Sequence, residues 1–300
     1  MGLTKNTKDD GQFSDWMADR ILRGLIGGML RLPYEKRVPA MGKAVSRGVA
    51  PIAGYLKRAK QNIAMIYPNM SDEERDRIAR ACCDNFGRTL IENYAWQEFG
   101  RRLATTRPIG AGLSALVQAK DEGRPVIFVT GHYGNHEAPR QVLTARGYEI
   151  GGLYRPMLNP YFNAHYEKTM TSWGGPVFAQ GRRGTMGFAR HLKRGGMGTL
   201  LFDVSASGIP ISFLGQTAHT ATSAADIALK LDALVIPYFG IRQSDGLSFS
   251  VEVEEPIALT DTETMMTDMT KRLEAQIARD PAQWFWVHRR WKKRNHRQRS

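Results

Sequence analysis

Residues 131–137 read GHYGNHE and follow the apolar run VIFVT, so two histidines and a glutamate crowd the joint between a strand-like segment and a helix start. An imidazole beside a carboxylate is the pair that takes a proton from a hydroxyl: the carboxylate fixes the tautomer and the other ring nitrogen acts as base. Inside one continuous helix, His132 and Glu137 would point about 140° apart and would not meet. With His132 on the turn and Glu137 in the first helical turn, the chain can fold back and join them. Two other readings compete. His132 and His136, four apart, suit a metal, yet His165, His191 and His219 stand alone and no third ligand has a defined spacing, so no metal is expected. Alternatively the polar residues only start a helix, with Asn135 as N-cap, Pro139 in the first turn and Glu137 at the positive end of the helix dipole. Neither Cys82 nor Cys83 lies near a strand end and no G-x-S-x-G elbow is present, which agrees with a nucleophile that comes from a substrate.

The elements around this joint define a fold class. Residues 16 to about 100 have a helical pattern, and Ser71 followed by acids marks one helix start. Segments 124–130, 149–155, 198–204, 233–242 and 247–257 read as strands. Helix-like stretches 137–146, 160–173, 184–194 and 221–231 alternate with them, and 262–279 forms a further helix before Pro281. This alternation predicts an α/β fold, a mixed central sheet flanked by helices. The expected organisation is a polar start (1–15), a helical N-terminal segment (16–105), an α/β core (106–294) and a basic tail (295–300).

The net charge of +13 and pI near 9.9 favour an anionic partner. More than half of that excess lies in HRRWKKRNHRQRS, residues 288–300, which holds seven Lys or Arg and no acid. The adjacent pair Cys82 and Cys83 rarely meets disulfide geometry, which points to a reducing compartment. The polar start lacks the order of a secretory signal. In WMADRILRGLIGGMLRLPY, residues 16–34, charges interrupt any spanning run. Its apolar residues Trp16, Ile21, Leu22, Leu25, Ile26, Met29 and Leu30 approximate helical spacing, which fits a membrane-surface helix or a core-facing one.

GHYGNHE resembles the His-x4-Asp/Glu block of glycerolipid-type acyltransferases, in particular the GHFGNWE form of the lipid A late acyltransferases, the lauroyl and myristoyl transferases of Gram-negative bacteria. LYRPMLNPYFN at 153–163, VIPYFGIR ending at 242 and PAQWFWVHRRWKKR at 281–294 resemble further blocks of that family, in the same order. The resemblance implies a glycerolipid-acyltransferase-like fold in which His132 is the general base and Glu137 its orienting carboxylate. The acceptor hydroxyl would attack an acyl carrier protein thioester, with no covalent acyl-enzyme and no cofactor besides that co-substrate. Arg155 falls where the family places a positive residue for an acceptor phosphate or the reacting thioester. Asn135, Asp203 and Arg182 are the further substrate-binding candidates, although Asn135 serves equally as a turn former, and Arg182 with Arg183 as solvated surface. Two departures stand out: His136 replaces the usual Trp, and LFDVSASGIPISFLG replaces a D-Q-D pattern while keeping Asp203. They leave the acceptor less defined than the chemistry.

Trp284, His288 and Trp291 fall at helical spacing on one face. With Trp286, Arg289 and Arg290 they form the expected contact with an anionic membrane surface or the acidic carrier, each surface cation contributing about 1 kcal/mol. Nucleic acid is the rival partner for such a tail, but no nucleic-acid motif accompanies it. The expected protein is an acyltransferase peripheral to the cytoplasmic face of the inner membrane, acting on a lipid A precursor. The alternatives are another acceptor such as a lysophospholipid, an acyl-CoA donor, or a catalytically silent lipid- or carrier-binding protein.

Overall fold

The computed structural model describes residues 13–157, 159–171 and 175–291. Six helices come first: α1 Phe13–Leu30, α2 Tyr34–Ala44, α3 Ala50–Ile52, α4 Tyr55–Ile66, α5 Asp72–Tyr94 and α6 Trp96–Leu103, with a π-helical turn Val45–Val49 between α2 and α3. Ser71 caps α5 as its sequence predicts, its hydroxyl accepting the Glu74 N–H at 3.2 Å. Strand β1 Pro108–Ile109 and helix α7 Gly112–Asp121 lead into the alternating part. There β2 Val126–Thr130, α8 Ala138–Thr144, β3 Ile150–Tyr154, α9 Pro160–Thr171, β4 Val177–Ala179, α10 Arg182–Lys193 and β5 Met197–Leu201 follow in turn. A hairpin, β6 Ile209–Phe213 and β7 Gln216–Thr220, precedes α11 Ser223–Leu231, β8 Leu234–Arg242, β9 Phe249–Val253 and α12 Thr262–Arg279.

Seven strands form one sheet in the order β1-β9-β8-β2-β5-β3-β4, parallel throughout except for the antiparallel β8–β9 pair. Every residue of the central strand β2 is buried, which is why VIFVT is continuously apolar and does not alternate. Ile127 and Val129 pack with α10, α11, α12 and the C-terminal segment; Val126 and Phe128 pack with α7, α8 and Tyr238 of β8. Helices α1, α2, α5, α6, α8 and α9 share another apolar cluster, so the N-terminal helices lean directly on the sheet's covering layer.

The five expected strands and the later helices are all present, each within a few residues of its predicted ends. Strands β1 and β4, helix α7 and the hairpin are additional. Ile209, Ile211 and Phe213 alternate with Pro210 and Ser212, and Leu214 (φ 50°) and Gly215 (φ 75°) make a two-residue left-handed turn. A proline is tolerated in such a peripheral two-stranded sheet.

The candidate active site

Parallel pairing sets the site. Thr130, the last residue of β2, stands opposite Leu201, the last of β5. Two residues beyond each end, His132 and Asp203 therefore emerge side by side. One Asp203 oxygen lies 2.8 Å from His132 Nδ1 and the other accepts the His132 backbone N–H at 2.7 Å. That second oxygen also accepts the Trp284 indole N–H at 3.0 Å. Burial disfavours charge on Asp203, but the His132 and His288 rings and the bonds from His132 outweigh it and hold the carboxyl well below its usual range. It is an anion fixed on Nδ1. The His132 side chain is 30% exposed, and Nε2 is the nitrogen left to meet a hydroxyl.

The turn carrying His132 is clamped from three sides. Gly134 (φ 56°) donates its N–H to the Gln283 carbonyl at 3.0 Å, and a Cβ on it would sit 1.9 Å from the Gly240 carbonyl oxygen. Only glycine fits there, on conformation and on space alike. Asn135 N–H donates to that same Gly240 carbonyl, and Phe285 N–H to the His132 carbonyl at 3.0 Å. Asn135 Nδ2 donates to Glu92 of α5 at 2.9 Å, and its Oδ1 accepts the Glu137 N–H at 3.0 Å. Helix α8 then starts at Ala138 with Pro139 in its first turn, as expected. Arg242 at the end of β8 closes the support, paired with buried Glu92 at 2.6 and 2.8 Å.

Glu137 does not meet His132 Nδ1. Its carboxyl is buried, with Arg140 Nη1 at 3.7 Å and His136 Nε2 at 3.8 Å. Burial raises its pKa, opposed by Arg140 and, through space, by His132. The orienting contact expected of Glu137 is made by Asp203, because Glu137, just before α8, lies beside Arg140 while β5 delivers Asp203 at the level of His132. Asp203, expected to touch substrate, is 1% exposed and engaged by His132 and Trp284, so it has no surface to offer. Asn135 is likewise fully buried and holds the turn.

Two further imidazoles surround the base. His136 lies 5.2 Å and His288 4.5 Å from His132, centroid to centroid. Burial pushes both down to about 3, helped by repulsion from His132, so both rings are neutral near pH 7. Arg155 and Arg182 are exposed and follow the C-terminal ends of β3 and β4, strands paired through Tyr154 and Ala179. From the strand spacing they stand about 10 and 15 Å from His132 along the same sheet edge. The structure places them at the C-terminal end of the sheet without bringing them to the base.

The C-terminal segment corrects another expectation. Residues 284–291 are not helical and do not face outward as a stripe. Trp284, Trp286 and Arg290 are buried: besides the bond to Asp203, Trp286 Nε1 donates to the Pro281 carbonyl, and Arg290 donates to Thr220 Oγ1 at 2.6 Å and the His219 carbonyl at 2.8 Å. Trp291 is half-buried on Phe213, and of the expected contacts Arg289 alone is exposed. The buried indole and guanidinium find their acceptors inside, so this segment floors the site. Residues 292–300, with most of the expected basic patch, lie outside the described residues. Sequence reasoning overlooked Trp284 and His288 as builders of the site and Glu92, Arg242 and Gln283 as its supports. The one available signal was Asp203 itself, an acid near the end of the expected strand 198–204.

The profile of the bacterial lipid A biosynthesis acyltransferases matches residues 13–293. The chain belongs to that family. It is 28% identical to the lipid A biosynthesis lauroyltransferase of Escherichia coli K12, over 90% of each chain. It is 24% identical to lipid A biosynthesis acyltransferase 2 of Shigella flexneri, over 88% of this chain and 86% of the relative. The lipid A biosynthesis palmitoleoyltransferase of E. coli K12 is 25% identical over 90% of each. Among the described residues of this family member, no helix is long and apolar enough to cross a membrane.

Proposed function

We propose that this protein transfers a fatty acyl chain from an acyl carrier protein thioester to a hydroxyl of a lipid A precursor. His132 Nε2 takes the proton of the acceptor hydroxyl as the oxygen attacks the thioester carbonyl carbon. Asp203 keeps the Nδ1 proton and stabilises the imidazolium. The tetrahedral intermediate collapses, the carbon–sulfur bond breaks, and the proton on His132 passes to the leaving thiolate. The observation that carries this reading is the buried carboxylate fixed on a partly exposed histidine at the C-terminal edge of the sheet. A pure lipid-binding protein has no use for that dyad. Arg155 and Arg182 supply cations for acceptor phosphates along the same edge. The net positive charge and the exposed apolar residues of α1 support peripheral attachment to the cytoplasmic face of the inner membrane.

The test is transfer by purified protein in detergent from carrier thioesters of several chain lengths to a tetra-acylated lipid A precursor or to lysophospholipids, read by mass. Acylation of the lipid A precursor, lost in His132→Ala, is the expected result. Acylation of lysophospholipid alone overturns the acceptor, and near wild-type turnover in His132→Ala overturns the base.

A further inference from the structure

The proposed reaction employs His132 and Asp203 and leaves His288 without a task. The His288 ring stands edge-on to His132, and its Nε2 is buried with no hydrogen-bond partner. A desolvated ring nitrogen without a hydrogen-bond partner is costly unless a ligand meets it. One ring nitrogen of His132, one Asp203 oxygen and one ring nitrogen of His288 lie within 4.8 Å of one another. His136, the partner that the sequence spacing offered, is not among them; Asp203 and His288 come from other parts of the chain.

Ligands on one tetrahedral zinc ion, bonded at about 2.0–2.2 Å, stand about 3.3 Å apart. The 2.8 Å contact between His132 and Asp203 has to open by about half an ångström, and His288 has to turn inward by at most about 1.5 Å. Two imidazoles and a carboxylate, with His132 partly open to solvent for a fourth ligand, suit zinc and not magnesium. The outer support is in place, since the second Asp203 oxygen is held by the Trp284 indole and the His132 backbone N–H.

We propose that His132, Asp203 and His288 form an inhibitory zinc site. Zinc takes His132 Nδ1, and the proton held there moves to Nε2. The ring stays neutral, no net proton is released, and Nε2 no longer accepts a proton from a hydroxyl. The inhibition rests on the reading of His132 as base; the binding does not.

Full-length protein stripped with chelator is titrated with zinc against a chromophoric competitor, and with cobalt(II), whose visible bands report tetrahedral coordination. One equivalent is expected to bind, with affinity at least about tenfold weaker in His288→Gln and in Asp203→Asn, and with the cobalt bands lost in both. Circular dichroism identifies which variants are folded. Zinc, and not magnesium, then suppresses transfer to the lipid A precursor, and chelator restores it. A folded wild-type chain that binds no zinc overturns the site, as does unchanged affinity in either folded variant. Binding that leaves transfer intact overturns the inhibition. Zinc bound at these residues by a chain that transfers nothing in zinc-free buffer keeps the site and sinks the acyltransferase reading.

Discussion

Asp203 touches Nδ1 and the backbone of His132, so it sets both ring orientation and tautomer. Glu137 reaches His132 only through space and lies beside Arg140. Asp203→Asn is therefore expected to lower kcat by about a hundredfold or more with little change in KM, because orientation of the base matters chiefly in the transition state. Glu137→Gln should cost clearly less. Steady-state kinetics of the two variants decide the matter, and a larger loss in Glu137→Gln would return the orienting role to Glu137. His132 was legible in the sequence because its block joins a strand to a helix. Its partner was not, because 71 residues separate them and only the parallel register of β2 and β5 brings them level.

At the level of elements, the turn 131–137 is held by α5, β8 and the C-terminal segment together. Glu92 of α5 bonds both Arg242 of β8 and Asn135 of the turn, all three buried. Removing one member strands the others in a low-dielectric interior. Arg242→Met leaves the Glu92 carboxylate uncompensated and is expected to cost about 3–5 kcal/mol of stability, measured by urea unfolding. A loss within about 0.5 kcal/mol, the scale of an ordinary surface substitution, would show that the pair is not a structural clamp. The strands and helices were legible from periodicity, because burial on both sheet faces writes itself as apolar runs. The segment 284–291 was misread, since aromatic residues and arginines at helical spacing describe a membrane-facing stripe and a buried, internally bonded floor equally well.

For the whole molecule, the proposed attachment to a lipid surface turns on α1. In α1, Leu22, Leu25, Ile26 and Met29 pack inward while Phe13, Trp16, Met17 and Ile21 are exposed beside Arg20 and Arg23. The core-facing reading thus holds for one face of this helix, and the opposite face is the one the proposed membrane attachment would use. Replacing Phe13, Trp16 and Ile21 together by Ser is expected to weaken co-sedimentation with anionic vesicles about tenfold or more, since each ring or branched chain leaves an apolar phase. The residual binding should fall further with salt. Unchanged binding in that triple variant would transfer attachment to 292–300.

The sequence by itself determined the class of fold, the place of His132 at a strand-to-helix joint and the family, because each is written locally: in burial patterns, in that joint and in short ordered blocks. Which carboxylate serves the histidine, which aromatic residues are floor and not surface, and how Glu92, Arg242 and His288 gather around one turn were decided only by tertiary structure. Those contacts depend on strand register and on the return of the C-terminal segment across the sheet. Neither leaves a mark in the spacing of the residues concerned.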